Sequence, residues 1–251
     1  MKFFLDLTDK RLPFVKDYLQ QQKKQVEGFN KEDMSYINSG DVIIVSPAFK
    51  WNETLVNALP NNITIFAGNI SDDYKLTIKN KKIKYINFMT HEDFVLKNAI
   101  LTAEGFLSDL ILNTKSSMFN QQILILGSGR VAKAVGYLFY KLGLTFDFAM
   151  RNEKEYNHTK LFARKCFLGD SYKKVLKDYD VVINTIPAVI FDDKDANKFK
   201  KDCYVFELAS KQCLEGVSTQ NFNYVLCPAL PSKYTPKTAA DLMIEILNLY
   251  L

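Results

Sequence analysis

The chain has 251 residues, 47% of them hydrophobic and 24% charged, with a formal net charge of +5. At roughly 150 residues per domain, this allows one large or two small domains with real cores and excludes a disordered or low-complexity chain. No run approaches the ~18 apolar residues of a membrane span. The lysines are spread without an aromatic-interleaved basic stripe, so neither a membrane nor a nucleic acid is the expected partner.

Asp6 interrupts the apolar start before a signal-peptide core can form, so no leader is expected. Four cysteines (Cys166, Cys203, Cys213, Cys227) form no C-x-x-C pair, which points to a reduced, cytoplasmic protein. A mildly positive field suits anionic small molecules. Only four of the basic residues are arginines (Arg11, Arg130, Arg151, Arg164), so their positions carry information.

Short apolar runs alternate with longer amphipathic ones, the rhythm of repeated βα units. Strands are predicted at residues 2–5, 41–45, 63–66 and 83–86, with helices near 11–22, 50–58 and 71–79 between them. A long helix follows from about 91 to 113, with Thr90 as its expected cap and Asp93 completing a variant capping box. A second series has strands at 123–126, 145–150, 181–184, 204–208 and 224–227, and a weaker one near 165–168. A last helix starts at Pro236, behind Thr235 as N-cap.

The fold class is therefore α/β in two domains. Residues 1–90 form a smaller, flavodoxin-like α/β domain, 91–116 a connecting helix, and 117–251 a Rossmann-type parallel sheet. The last helix, about 236–250, is expected to pack back toward the cleft.

The strongest local signal is Gly127-Ser128-Gly129-Arg130-Val131-Ala132, which follows an apolar strand and opens a helix. Gly127 would make the tight turn, Gly129 would let a pyrophosphate approach the backbone, and Ala132 would keep helix and strand close. The pyrophosphate would then sit on the helix N-terminus. A dinucleotide enzyme using NAD usually carries an acid about 20 residues on. Here the next strand ends in Arg151-Asn152, while Asp147 lies inside it. A guanidinium suits a 2′-phosphate, so NADP is favoured and NAD remains the alternative. Arg130 is a second phosphate candidate. Two further strand ends aim at the same crevice: Asn184-Thr185-Ile186-Pro187 and Leu208-Ala209-Ser210.

On the long helix, Asn98, Thr102, Gly105 and Asp109 share one face, and Glu104 lies beside Ile100, Leu107 and Ile111. A carboxylate on an apolar stripe needs a partner or a raised pKa, so Glu104 is a candidate acid or base. At the last helix, free N–H groups with Lys237 and Thr238 would make an anion site suited to a dicarboxylate. Two isolated histidines and the scattered cysteines offer no metal site.

Taken in order, these segments resemble the dipicolinate synthase A-subunit family of spore-forming bacteria. The matching residues are Asn98, Thr102-Ala103-Glu104-Gly105, Gly127-Ser128-Gly129-Arg130, Asn184-Thr185-Ile186-Pro187, Leu208-Ala209-Ser210, and Leu230-Pro231 followed by Pro236-Lys237-Thr238-Ala239. The chain departs from the family pattern at Leu101, in place of proline, and at Lys211-Gln212, in place of a glycine pair.

The resemblance implies oxidation of dihydrodipicolinate, or of its hydroxylated tetrahydro precursor, to dipicolinate during sporulation. It also implies a flavoprotein-like partner, the B-type subunit of dipicolinate synthase; a homodimer is a compatible assembly. Under it Glu104 is the base or orienting group. Lys237 and Thr238 hold a substrate carboxylate, and Asn98, Thr102 and Gly105 line the substrate side. The alternatives are a shikimate-dehydrogenase-like NADP oxidoreductase and a non-catalytic dinucleotide-binding subunit of a heteromeric synthase.

Overall fold

The computed structural model describes residues 1–251 as two compact units. The first comprises Met1–Asn98 together with Pro231–Leu251, and the second Ala99–Leu230. The predicted boundaries are thus corrected in two places. The long helix is not a separate connector, because its first residues, to Asn98, belong to one unit and the rest to the other. The C-terminal helix belongs with the N-terminal unit rather than with residues 117–230.

In chain order the first unit contains β1 (Phe3–Leu5), α1 (Leu12–Gln21), β2 (Val26–Gly28), β3 (Val42–Ile44), α2 (Glu53–Ala58), β4 (Thr64–Ala67), α3 (Lys75–Asn80) and β5 (Lys84–Asn87), and then the start of α4 (Glu92–Asn113). All five strands are parallel, in the order β2-β1-β3-β4-β5. Parallel strands covered on both faces read as unbroken apolar runs. Accordingly Phe3, Phe4 and Leu5 are all fully buried, as are Ile43 and Ile44.

One face of this sheet meets Val56 of α2 and Ile78 of α3 through Phe4, Ile43 and Ile65. Helix α1 buries Leu12, Val15 and Leu19, the inward stripe of an amphipathic helix. Beside it packs the C-terminal helix of the chain, and the Tyr18 hydroxyl donates to Asn248 Oδ1 at 2.7 Å.

Two local features depart from the sequence reading. Strand β2 is unforeseen; it is a three-residue edge with Glu27 and Gly28 exposed, too short and polar to show a period. Thr90 does not cap α4. It ends a 3₁₀ turn, and its hydroxyl donates to the Asn87 carbonyl at 2.8 Å. The first helical bond of α4 instead runs from Val95 to the His91 carbonyl.

The second unit contains β6 (Ile123–Leu126), α5 (Arg130–Lys141), β7 (Phe146–Met150), α6 (Glu153–Thr159), β8 (Lys165–Leu168), β9 (Val181–Asn184), α7 (Asp193–Ala196), β10 (Tyr204–Glu207) and β11 (Asn223–Leu226). Its six strands are parallel, in the order β11-β10-β9-β6-β7-β8. Numbered from β6, this is the doubly wound order in which β6 and β9 flank the switch point. One face buries Leu124, Val182 and Val205 against Tyr172, Phe191, Phe199 and Phe222. On the other, Phe106 of α4 meets Phe139 of α5 and Phe206 of β10 edge-on or tilted, with centroids 6.2 and 5.3 Å apart.

Asp147, inside β7, is fully buried and accepts a bidentate pair from Arg164 at 2.9 and 2.8 Å, with the Tyr179 hydroxyl at 2.6 Å. Burial, and then that carboxylate, push the Tyr179 hydroxyl well above its ordinary value.

The chain closes with α8 (Leu230–Tyr234) and α9 (Pro236–Leu247). Ser232 Oγ donates to Asp9 Oδ1 at 3.1 Å, and Arg11 grips the same carboxylate at 2.8 Å through both Nε and Nη2. Burial pushes the Asp9 carboxyl up, but Arg11 and the Ser232 hydroxyl outweigh it and hold the group below the usual carboxylate range.

Candidate dinucleotide-binding site

The site is built at the carboxyl ends of β6, β7, β9 and β10. Gly127 ends β6 with φ +115°, the left-handed region that favours glycine. A Cβ there would lie 2.3 Å from Thr185 Oγ1. That hydroxyl is already committed, donating to the Leu126 carbonyl at 2.7 Å. The glycine and the threonine therefore lock the β6 and β9 turns together across the switch point.

Gly129 has a different role. Its φ of −72° suits any residue, and nothing lies within 4 Å of where its Cβ would be. The space over its backbone is open. Gly129 is the N-cap of α5, with no side-chain cap, and the first helical bond runs from Lys133 N to its carbonyl. The amides of the first turn therefore face out of the helix end, where an anion is favoured. Ser128 and Val131 are half-buried on either side and Arg130 is exposed. The close approach of helix to strand, assigned to Ala132, has a second contributor. A Cβ on Gly136 would sit 2.7 Å from the Phe148 ring of β7. Its sequence signal is a glycine four residues after Ala132, on the same helix face.

At the tip of β7, the Arg151 side chain is 75% exposed and only loosely engaged, 3.8 Å from the Asp170 carboxylate. Asn152, its predicted companion, caps α6 by accepting from the Glu155 amide at 3.1 Å. Arg151, Lys173, Ile190, Phe191 and Asp192 help line a hollow of about 310 Å³ in this unit. Lys173 is held by the Ile190 carbonyl and the Asp195 carboxylate, both at 2.6 Å.

On the other side of the switch point, Asn184 is fully buried. Its amide donates to the Ile186 carbonyl at 3.0 Å and to Glu207 Oε1 at 2.8 Å, and its oxygen accepts from the Ile186 amide at 3.0 Å. Asn184 thus builds the Thr185-Ile186-Pro187 turn rather than reaching out of it. Leu208 and Ala209 are half-buried and Ser210 is exposed. The Leu208 amide donates to the Asn184 carbonyl at 2.9 Å, which joins the two turns.

Glu207, 3% exposed, is not among the residues the sequence points to. Its signal is an acid closing the apolar run Tyr204-Val205-Phe206.

The residues expected to carry the chemistry fare differently. Glu104 is exposed, and its apolar neighbours Ile100 and Ile111 are 54% and 56% exposed. The stripe faces outward, so Glu104 is solvated and burial imposes no partner on it. The opposite side of α4 is the inward one, with Gly105 and Asp109 buried and Asn98 and Thr102 half-buried. Lys237 Nζ pairs with Asp241 one helical turn on, at 3.2 Å. Thr235 occupies the N-cap of α9, but its hydroxyl donates to the Pro231 carbonyl instead of capping. Thr238 is exposed. Asn98, Lys237 and Thr238 belong to the first unit; Thr102, Glu104, Gly105 and the residues of the glycine turn belong to the second.

Among curated proteins, the A-subunit of dipicolinate synthase from Bacillus subtilis is 26% identical over 214 residues, covering 82% of this chain and 72% of that protein. The chain is similar to dipicolinate synthase A-subunits. The same likeness appears in the fold. The crystal structure of the dipicolinate synthase A-subunit from Bacillus halodurans superposes with a TM-score of 0.78 at 21% identity, covering 98% of this chain and 96% of that one. NAD-dependent formate dehydrogenase from Staphylococcus aureus, solved with NAD, shares the fold more distantly, with a TM-score of 0.61 at 14% identity over 99% of this chain and 95% of that one. No family model matches the chain. No helix is long and apolar enough to cross a membrane.

Proposed function

We propose that this chain is the dinucleotide-binding oxidoreductase subunit of a dipicolinate-forming synthase. It would act in the cytoplasm of a sporulating cell beside a flavoprotein-like second subunit. The observation that carries the reading is the glycine turn. Gly127 is forced by its backbone and by Thr185, whereas Gly129 is forced by nothing inside the protein and leaves open the space a pyrophosphate would need. Glycine is a fair N-cap on its own account, but the open space over its backbone at a helix start is what a pyrophosphate would use.

A nicotinamide dinucleotide fits these residues and, when bound, supplies a hydride acceptor. The α5 amides, Ser128 and Arg130 would hold its pyrophosphate. The β7 tip carries Arg151 where an NAD site carries an acid, so Arg151 would bind a 2′-phosphate and select NADP. The turns at Thr185-Ile186-Pro187 and Leu208-Ala209-Ser210 would line the nicotinamide half. The substrate is a small dicarboxylate, dihydrodipicolinate or its hydroxy-tetrahydro precursor. Within the second unit, Thr102 and Gly105 would line the substrate side, and Glu104 would accept or orient the proton lost on aromatisation.

A second reading is favoured by one pair of observations: Glu104 is solvated, and Lys237 is paired with Asp241. On this reading the chain binds dinucleotide and its partner completes the chemistry. Dipicolinate formation from freshly generated precursor separates the two, measured with NADP⁺ or NAD⁺ and with or without the flavoprotein-like partner. Product from this chain alone establishes the dehydrogenase, and product only with the partner establishes the helper. No product under any condition overturns the dipicolinate assignment.

A further inference from the structure

One carboxylate gathers four donors where β9, β10 and β11 end. Glu207 Oε1 accepts from Asn184 Nδ2 at 2.8 Å and the Ala209 amide at 3.0 Å; Oε2 accepts from the Cys213 amide at 2.7 Å and the Tyr224 hydroxyl at 3.0 Å. All four donors are neutral, so hydrogen bonds, not a counter-charge, hold the group. Burial, and then its neighbours Cys213 and Glu207, raise the Tyr224 hydroxyl well above its ordinary value and keep it a donor.

Burying a carboxylate is expensive even when it is fully hydrogen-bonded, although here its two oxygens satisfy the Ala209 and Cys213 amides, which an apolar side chain would leave unpaired. What the carboxylate adds is a fixed negative charge, and its place is specific. In a doubly wound sheet the first half, here β6 to β8, takes the adenosine side, which leaves β9 to β11 for the nicotinamide side. Glu207 ends the middle strand of that second half and ties together the two turns that would line it.

We propose that Glu207 biases the site toward the oxidised dinucleotide. The oxidised nicotinamide ring is a cation and the reduced ring is neutral, so a buried anion in that half attracts one form and not the other. The inference rests on the dinucleotide reading above and deepens it. Glu207 is a positioning residue that also tunes which form of the cofactor stays bound. At an effective dielectric near 20, opposite unit charges roughly 10–15 Å apart attract by about six- to sixteenfold in an equilibrium constant, which sets the scale of the effect.

The test is equilibrium titration of the full chain with NADP⁺ and NADPH, and with NAD⁺ and NADH, without any turnover. In Glu207→Gln the ratio of oxidised to reduced affinity is expected to fall about fivefold or more. Glu207→Asp, which keeps the charge, should stay near the original ratio. Both oxygens of Glu207 face a fixed backbone N–H, which puts folding of the glutamine variant at risk. Tyr224→Lys covers that case, because it neutralises the charge and leaves both acceptors in place, and the same fall in ratio is expected. Equal weakening of both forms, or no change in the ratio, would show a structural role only and overturn the proposal. A wild-type chain that binds none of the four dinucleotides would remove the dinucleotide reading itself, and this inference with it.

Discussion

Gly129→Ala separates folding from binding at the site. The backbone at Gly129, φ −72° and ψ −178°, is extended and open to alanine, and no atom lies within 4 Å of the new methyl. Alanine gains about 0.4–1 kcal/mol by restricting the unfolded chain. It loses a few tenths to about 1 kcal/mol as a poorer N-cap than glycine. The two effects oppose each other and are of similar size, so stability should stay within about 0.5 kcal/mol. For a chain of this length that shifts the Tm by no more than about 2 °C. On the proposed reading, the methyl would nevertheless stand where a pyrophosphate approaches the backbone. Dinucleotide affinity should fall at least tenfold, which is about 1.4 kcal/mol. Thermal unfolding and a binding titration on the same preparation give both readouts. Wild-type affinity in Gly129→Ala would refute the glycine-turn reasoning. Lost affinity with a large drop in Tm would show that the open space was misjudged.

Three further outcomes follow from the geometry. Arg151→Ala should weaken NADP⁺ binding at least tenfold and leave NAD⁺ within about twofold, because the Arg151–Asp170 contact is solvated and worth little by itself; titration with both dinucleotides checks this. Arg164→Met should cost about 3–5 kcal/mol in denaturant unfolding, because it leaves the fully buried Asp147 charge without its cation. Asp9 has a folded-state pKa below its unfolded value, so its contribution is present above the unfolded pKa, near 3.9, and is lost as pH falls through the folded value. Asp9→Asn should therefore be less stable at neutral pH and show a flatter acid limb in Tm against pH.

What was legible in the sequence was whatever the backbone or a short period dictates. Strands β6, β8 and β9 fall at their predicted bounds because each is an apolar run closed by a turn or polar signal. Gly127 and Gly129 could be given separate roles because the turn demands them one at a time. Properties that belong to the tertiary structure were not legible. Periodicity shows that Glu104 shares a face with Ile100 and Ile111, but not that the face points to water. The cap at Thr90 fails because a 3₁₀ turn takes residues 88–90 first. Its position at a helix start makes Lys237 read as an anion site, but helical spacing pairs it with Asp241 four residues on. Glu207 is inconspicuous in the sequence, because an acid at a strand end is ordinary until four donors converge on it.

The four arginines show how sequence and fold combine. Arg11 and Arg164 each spend a planar fork on one carboxylate, Asp9 in the first unit and Asp147 in the second. A lysine could supply the charge there but not the bidentate geometry. The remaining two stand at the glycine turn and at the tip of β7, and Arg151 has no comparable fork partner inside the protein. In a chain that otherwise uses lysine for its positive charge, arginine appears where a planar, two-pronged acceptor must be bound. Two of these acceptors are carboxylates visible in the fold. On the proposed reading, the acceptor for Arg151 would be a multi-oxygen anion supplied from outside. The buried Asp147 is engaged by Arg164, so the acid inside β7 is not available to a ribose hydroxyl. Under the proposed function a 2′-phosphate would meet both conditions, and an unmodified ribose neither.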